Sequence, residues 1–183
     1  MGLPMARNLH KSGVHVTGFD LNRASINAAK ESGISTASSV QDAVKGADYV
    51  VMALPRTQDV DKVLNMEGGI FKNLGEGAII CDTSTISPIA SKKFHEESKK
   101  LGFLFCDTPM SGGIMGAQNG TLTFMVGCSD ETEFEKCRPL LEGMGKNLFN
   151  CGGPGNGGVA KICNNLILGI QMNSISEGFN LGK

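Results

Sequence analysis

The sequence predicts an α/β protein built on a doubly wound parallel sheet. Short runs rich in β-branched and apolar residues recur at Val14–Asp20, Tyr49–Pro55, Ala78–Ser84 and Phe103–Pro109. Helical patterns fill the intervals, at Arg23–Ser32, Ser39–Lys45, Thr57–Leu64 and Pro88–Lys100. The runs Tyr49–Leu54 and Ala78–Ile80 are apolar without alternation, as in strands covered on both faces by crossover helices.

Each element has a local reason. Leu3–Ser12 reads as a helix leading into the Val14–Asp20 strand, which ends on an acid. Pro88 suits a first helical turn, where its fixed φ is already helical and its missing N–H is not needed. Leu122–Gly127 reads as a further strand, and the glycine-rich Gly152–Asn156 loop opens a helix still running at Lys183. No repeat, linker or low-complexity tract interrupts the chain.

Composition sets the class. With 183 residues, 40% hydrophobic and 19% charged, the chain can bury a real core. A net charge of −1 leaves no electrostatic footprint for nucleic acid, and no 18-residue apolar run predicts a membrane span. The six cysteines lack C-x-x-C or metal spacing and read as reduced core residues. The 25 glycines are abundant, which loops near ligands would explain. His10, His15 and His95 match no motif and read as surface or partly satisfied residues, and Gly116, Gly120 and Gly127 read as turn residues.

Two windows carry chemistry. Lys161 and Asn165 stand one turn apart, so an ammonium and a carboxamide share a helical face. A lysine among Val159, Ala160, Ile162 and Cys163 is a candidate acid/base, since desolvation lowers its pKa. The plain alternative is a surface lysine with a snorkelling stem, and for Asn165 a solvent-facing polar residue. In the other window Ser111, Gly112 and Gly113 follow a strand, where backbone N–H groups can converge on an anion. A serine in a glycine turn is otherwise commonplace.

Together, the segment from Cys106 to Gly127 and that from Gly152 to Asn165 resemble the 3-hydroxyacid dehydrogenase family. Its D-x-P-V-S-G-G-x-x-G-A and G-x-x-x-K-x-x-x-N motifs are matched here, with Met110 where valine is usual. The KICNN run is most similar to the 3-hydroxyisobutyrate dehydrogenases. The resemblance implies that Ser111, Gly112 and Gly113 hold the substrate carboxylate, that Lys161 is the acid/base, and that Asn165 orients it or binds substrate. It also implies cofactor contacts at Leu54 and Pro55 and at Thr85, whose plain alternatives are a strand exit and a helix-capping run. Gly2 resembles the last glycine of a G-x-G-x-x-G fingerprint, and Asp20 the acid that bonds the ribose 2′-hydroxyl, favouring NAD over NADP. Arg23 nearby opposes that preference, and Asp20 alone reads equally as a turn or capping residue.

The resemblance further implies a Rossmann NAD(P)-binding domain over residues 1–155. Residues 156–183 would begin a long helix leading to a helical domain. The family's first strand, with two fingerprint glycines, and its C-terminal helical domain are then expected to be missing, and this length alone is expected to be inactive. The implied reaction is oxidation of 3-hydroxyisobutyrate to methylmalonate semialdehyde in valine breakdown, in a mitochondrial or alternatively cytoplasmic homo-oligomer, with no nucleic-acid or membrane partner. A tartronate-semialdehyde or related reductase would use the same residues. A 6-phosphogluconate dehydrogenase is disfavoured because Asn164 and Asn165 stand where that enzyme's lysine helix continues with a histidine. A non-catalytic interaction module should have lost Lys161.

Overall fold

The computed structural model describes residues 1–183. Its elements are α1 (Gly2–Lys11), β1 (Thr17–Gly18), α2 (Arg23–Glu31), β2 (Ser35–Thr36), α3 (Val40–Val44), β3 (Tyr49–Met52), α4 (Thr57–Asn65), α5 (Ile70–Asn73), β4 (Ile79–Asp82), α6 (Pro88–Lys100), β5 (Leu104–Asp107), β6 (Met110–Ser111), α7 (Gly113–Asn119), β7 (Leu122–Val126), α8 (Glu131–Glu142), β8 (Gly145–Asn150) and α9 (Asn156–Leu181).

The α/β class and the parallel pairing hold, but the expected single sheet is in three pieces. Strands β3, β4 and β5 form the central parallel layer, with Tyr49, Ile79 and Leu104 in one register row and Met52, Asp82 and Asp107 in another. Strands β1 and β2 pair with each other in parallel and with nothing else. With one neighbour, the Val14–Asp20 run forms a ladder only at Thr17 and Gly18. The expectation that Tyr49–Leu54 is buried on both faces is corrected for the same reason: β3 is an edge strand and largely half-buried, whereas β4 is wholly buried.

The third sheet is mixed. Strand β7 runs parallel to β8 and antiparallel to β6, and an Asp107–Gly127 bridge joins it to the end of β5. Helices α5, α7 and α8 and strands β2, β6 and β8 are additions to the predicted elements. A signal for α8 was present, because Asp130 accepts from the Glu133 amide at 3.0 Å while Glu133 accepts from the Ser129 amide at 2.6 Å, a variant of the capping box one residue offset.

The central layer divides the core by its period of two. Ile80 and Phe105 face a cluster with Val60, Leu64, Ile70 and Phe94, while Cys81 and Cys106 face Leu122, Phe124, Cys137 and Leu141. Cys81, Cys106, Cys128 and Cys137 are thus core residues, but Cys151 is half-buried and Cys163 exposed, on a helix that packs only by its start. His95 is also a buried exception: its Nδ1 lies 2.8 Å from the Phe105 carbonyl, which can only accept, so Nε2 accepts from Ser129 Oγ at 2.9 Å.

Helix α9 departs from the usual amphipathic design. Within it only Gly157 and Gly158 are buried, while Ile162, Ile167 and Leu168, spread around the helix, are exposed. Apolar character all round is the pattern of a helix made to be enclosed. No helix is long and apolar enough to cross a membrane.

The fully buried Phe105 points from β5 into the cluster with Val60 and Leu64, tilted against Phe94 with ring centroids 5.9 Å apart. Its truncation to alanine should cost about 3–5 kcal/mol in chemical denaturation, the range for a large aromatic core residue. A loss no larger than that of a surface substitution would contradict this packing.

Candidate active site

Parallel strands deliver their carboxyl ends to one rim, where open α/β sheets place ligands. Three strand exits are tied together there. The Leu54 amide donates to Ser84 Oγ at 2.9 Å, and Thr83 donates to the Met52 carbonyl through its amide at 2.8 Å and its hydroxyl at 2.6 Å. The Thr108 amide donates to the Asp82 carbonyl at 2.8 Å. A Cβ built on Gly2 would lie 3.9 Å from Ala53 Cβ, so the start of α1 rests on the β3 exit, with no side chain capping its first turn.

Most of the predicted cofactor residues fall on this rim. Pro55 and Thr85 are exposed. The capping alternative for Thr85 fails, because Ser87 is the N-cap of α6 and the Thr85 hydroxyl has no partner. Asp20 is exposed at the end of β1, and its Oδ1 accepts from the Asn22 amide at 2.8 Å. That is a local turn, as the plain alternative expected, and it leaves the other carboxylate oxygen free. An uncapped helix start, a free threonine hydroxyl and an exposed carboxylate are the donor and acceptor types that fit a dinucleotide.

The β5 exit organises the second half of the site. Asp107 is buried, and its carboxylate accepts from the Gly155 amide at 2.7 Å and the Gly158 amide at 2.8 Å. These glycines serve packing rather than a ligand. Gly155 has φ +83° and a Cβ there would meet the Pro88 carbonyl at 2.6 Å, while one on Gly157 would run into the carbonyls of Met125 and Asp107. Helix α9 therefore lies close on β5, β7 and α6.

Lys161 follows Gly157 and Gly158 by four and three residues, on the same helical face. It is half-buried without an ion pair, and desolvation holds its ammonium below the usual lysine range. Asn165 is exposed, and its side chain meets Asn164 at 3.5 Å rather than Lys161. Ser111 is half-buried with an unpartnered hydroxyl, and Gly112 and Gly113 adopt φ +126° and +62° into the uncapped start of α7. Of the other glycines, Gly120 is a left-handed cap, as a turn residue should be. Gly116 instead lies within α7, and Gly127 abuts the Asp107 carboxylate.

Two buried carboxylates were given no role by the sequence, although Asp107 opens the D-x-P-V-S-G-G match. Asp82 and Asp107 are register neighbours, each the last residue of an apolar strand, and the apolar run before each was the available signal. Two clefts of about 280 and 360 Å³ lie at the opposite, amino-terminal ends of the strands and contain none of the candidate residues.

A profile for the NAD binding domain of 6-phosphogluconate dehydrogenase matches residues 1–153. The chain belongs to this family. Among curated members it is 42% identical over 182 residues to a Pseudomonas aeruginosa protein named NAD-dependent L-serine dehydrogenase, covering 100% of this chain and 61% of that one. It is 41% identical over 182 residues to mouse mitochondrial 3-hydroxyisobutyrate dehydrogenase, covering 100% of this chain and 54% of that one. A Mycobacterium tuberculosis 3-hydroxyisobutyrate dehydrogenase solved with L-serine superposes with a TM-score of 0.93 at 36% identity, over 99% of this chain and 61% of that one. This member of the NAD-binding family thus spans little more than half the length of these relatives.

Burial gives Asp82 a testable signature. One of its oxygens accepts from the Ser84 amide at 3.0 Å, the other is unpartnered, and desolvation raises its pKa from 3.8 to about 7. Between those values the folded chain keeps a proton that the unfolded chain has released, so this group's contribution to stability falls as pH rises. The stability of the parent minus that of Asp82→Asn should therefore decline from about pH 4 to pH 7 in urea titrations. A pH-independent difference would exclude a buried, proton-holding Asp82.

Proposed function

We propose that the chain carries the cofactor site and the acid/base of an NAD-dependent 3-hydroxyacid dehydrogenase, with 3-hydroxyisobutyrate as substrate and methylmalonate semialdehyde as product. The observation that carries this reading is Lys161: half-buried, unpaired, lowered in pKa, and borne on the helix whose first turn is bonded to Asp107 at the end of β5. The mouse relative's name supports the substrate. L-serine is a second reading, supported by the Pseudomonas relative's name and by the ligand of the mycobacterial structure. Both molecules join a carboxylate to a primary alcohol on the third carbon, so one site chemistry serves either.

Each residue then has a task. Gly2 and the uncapped start of α1 would face phosphate, Asp20 the adenosine ribose, and Leu54, Pro55 and Thr85 the nicotinamide half. Bound NAD would supply the hydride acceptor. Ser111 Oγ and the Gly112 and Gly113 amides receive the substrate carboxylate, which leaves the alcohol free to meet Lys161. Neutral Lys161 takes the hydroxyl proton on Nζ, and its depressed pKa raises the fraction able to do so. Asn165, which has no bond to Lys161 here, would turn toward it or toward the substrate on binding.

Residues 1–155 form the cofactor domain in this reading, and α9 begins the connection to a helical one. The exposed apolar sides of α9 support enclosure by such a domain or by a second subunit. The mitochondrial relatives support a mitochondrial setting, while a bacterial relative of similar identity carries the same name without one.

The test uses a chimera in which the chain is joined to the remaining segments of the Pseudomonas relative. Lys161→Ala should lower kcat by about 10²-fold or more with NAD affinity little changed, since a proton-transfer group acts mainly in the transition state. Lys161→Arg should fail as well, because guanidinium stays protonated. Near-normal turnover of either variant would reject the assignment.

Ser111→Ala should raise KM for 3-hydroxyisobutyrate and for L-serine while leaving simple alcohols unaffected, because only the acids use that hydroxyl. Equal losses for both classes would place Ser111 in loop support instead.

A further inference from the structure

Asp107 is the one buried, fully engaged carboxylate at the rim that the proposed chemistry does not use. Its two acceptors meet the Gly155 and Gly158 amides, which are the N-cap and the third residue of the first turn of α9. Those are the two donors a capping box normally satisfies from within, with Ser or Thr at the first position and Glu or Gln at the second. Helix α9 has glycine at both and can satisfy neither. A single carboxylate on β5 does the work of both missing side chains, and it places a negative charge at the positive end of a 26-residue helix. Two short charge-assisted bonds at fixed separation define both the height and the rotation of the helix start.

Apart from this clamp, α9 is held only at its start, where Gly155 and Gly157 pack against α6 and β7. Beyond Gly157 and Gly158 the helix has no buried residue, and its later turns are exposed. Lys161 lies within one turn of the second clamped amide. We infer that Asp107 is a positioning residue for Lys161: it sets where the amine stands at the rim by clamping the first turn of α9 from the neighbouring strand. This inference rests on the proposed role of Lys161 for its catalytic consequence, but not for the clamp itself.

Two measurements test it. In the chain labelled with ¹⁵N and with ¹³C at lysine Cε, protonation of Asp107 opens the clamp without mutation. The Gly155 and Gly158 amide signals should then move together on the acid side, and the Lys161 Cε signal should follow the same curve. The ionisable groups facing Asp107 are Asp82 on β4, His95 on α6 and Cys151 at the end of β8. Repeating the titration in Asp82→Asn and His95→Gln backgrounds identifies the controlling group. In the chimera, Asp107→Asn should lower kcat by about 10²-fold, as expected for a reacting group displaced by about an ångström. KM should change little, and a cooperative melting transition should remain.

Independent titration of Lys161 and the two glycine amides would overturn the inference, as would an Asp107→Asn enzyme with parental kcat. If Asp107→Asn does not fold, the titration of the unmutated chain decides alone. If Lys161 follows Asp107 but Lys161→Ala retains activity, the clamp stands and the proposed chemistry falls.

Discussion

The carboxylate of Asp107, bonded to the Gly155 and Gly158 amides, joins the central sheet to the helix that bears the candidate acid/base. A charge buried at this depth is costly unless it is hydrogen-bonded, and these two amides are the principal groups that offset its desolvation. Several sequence features follow from that one demand. Gly157 has no side chain because the backbone of β5 and β7 lies where a Cβ would go, and Gly127 has none because the carboxylate fills that space. Gly155 turns with positive φ so that its amide can point back at β5. The glycine richness of this segment thus reflects close packing of a helix start on a strand end.

The same rim gathers the other candidate residues through backbone economy. Parallel strands in exact register send Met52, Asp82 and Asp107 to one level, and the residues after them turn outward together. Ser84 and Thr83 then lock the exits of β3 and β4 to each other, which leaves Pro55 and Thr85 exposed on a firm base. The helix that bears Lys161 is joined to this rim from the far end of the chain, through Gly155 and Gly158, and burial partly desolvates the Lys161 amine.

How legible this was depended on the kind of signal. The strands Tyr49–Met52, Ile79–Asp82, Leu104–Asp107 and Leu122–Val126 and the helix opened by Pro88 announced themselves by apolar runs and a helix-start residue. Strands β2 and β6 did not, since two paired residues leave no period to read. Helix α8 had a readable cap at Asp130 and Glu133, hidden by its position after a strand of the third sheet. His95, which matched no motif and read as a surface or partly satisfied residue, bridges Phe105 and Ser129 in the interior.

The sequence by itself determined the alternation of strands and helices, the α/β class and the candidates Ser111, Lys161 and Asn165, because periodicity and residue chemistry are local properties, while Thr85 came from the resemblance to the 3-hydroxyacid dehydrogenases. Only the tertiary structure decided that β1 and β3 do not pair, that Asn165 meets Asn164 rather than Lys161, and that Asp107 and Asp82 stand side by side within the protein. The reason is that register, burial and the partner of a buried charge depend on residues far apart in the chain. Asp107 and Gly158 are 51 positions apart, and no local pattern records that they meet.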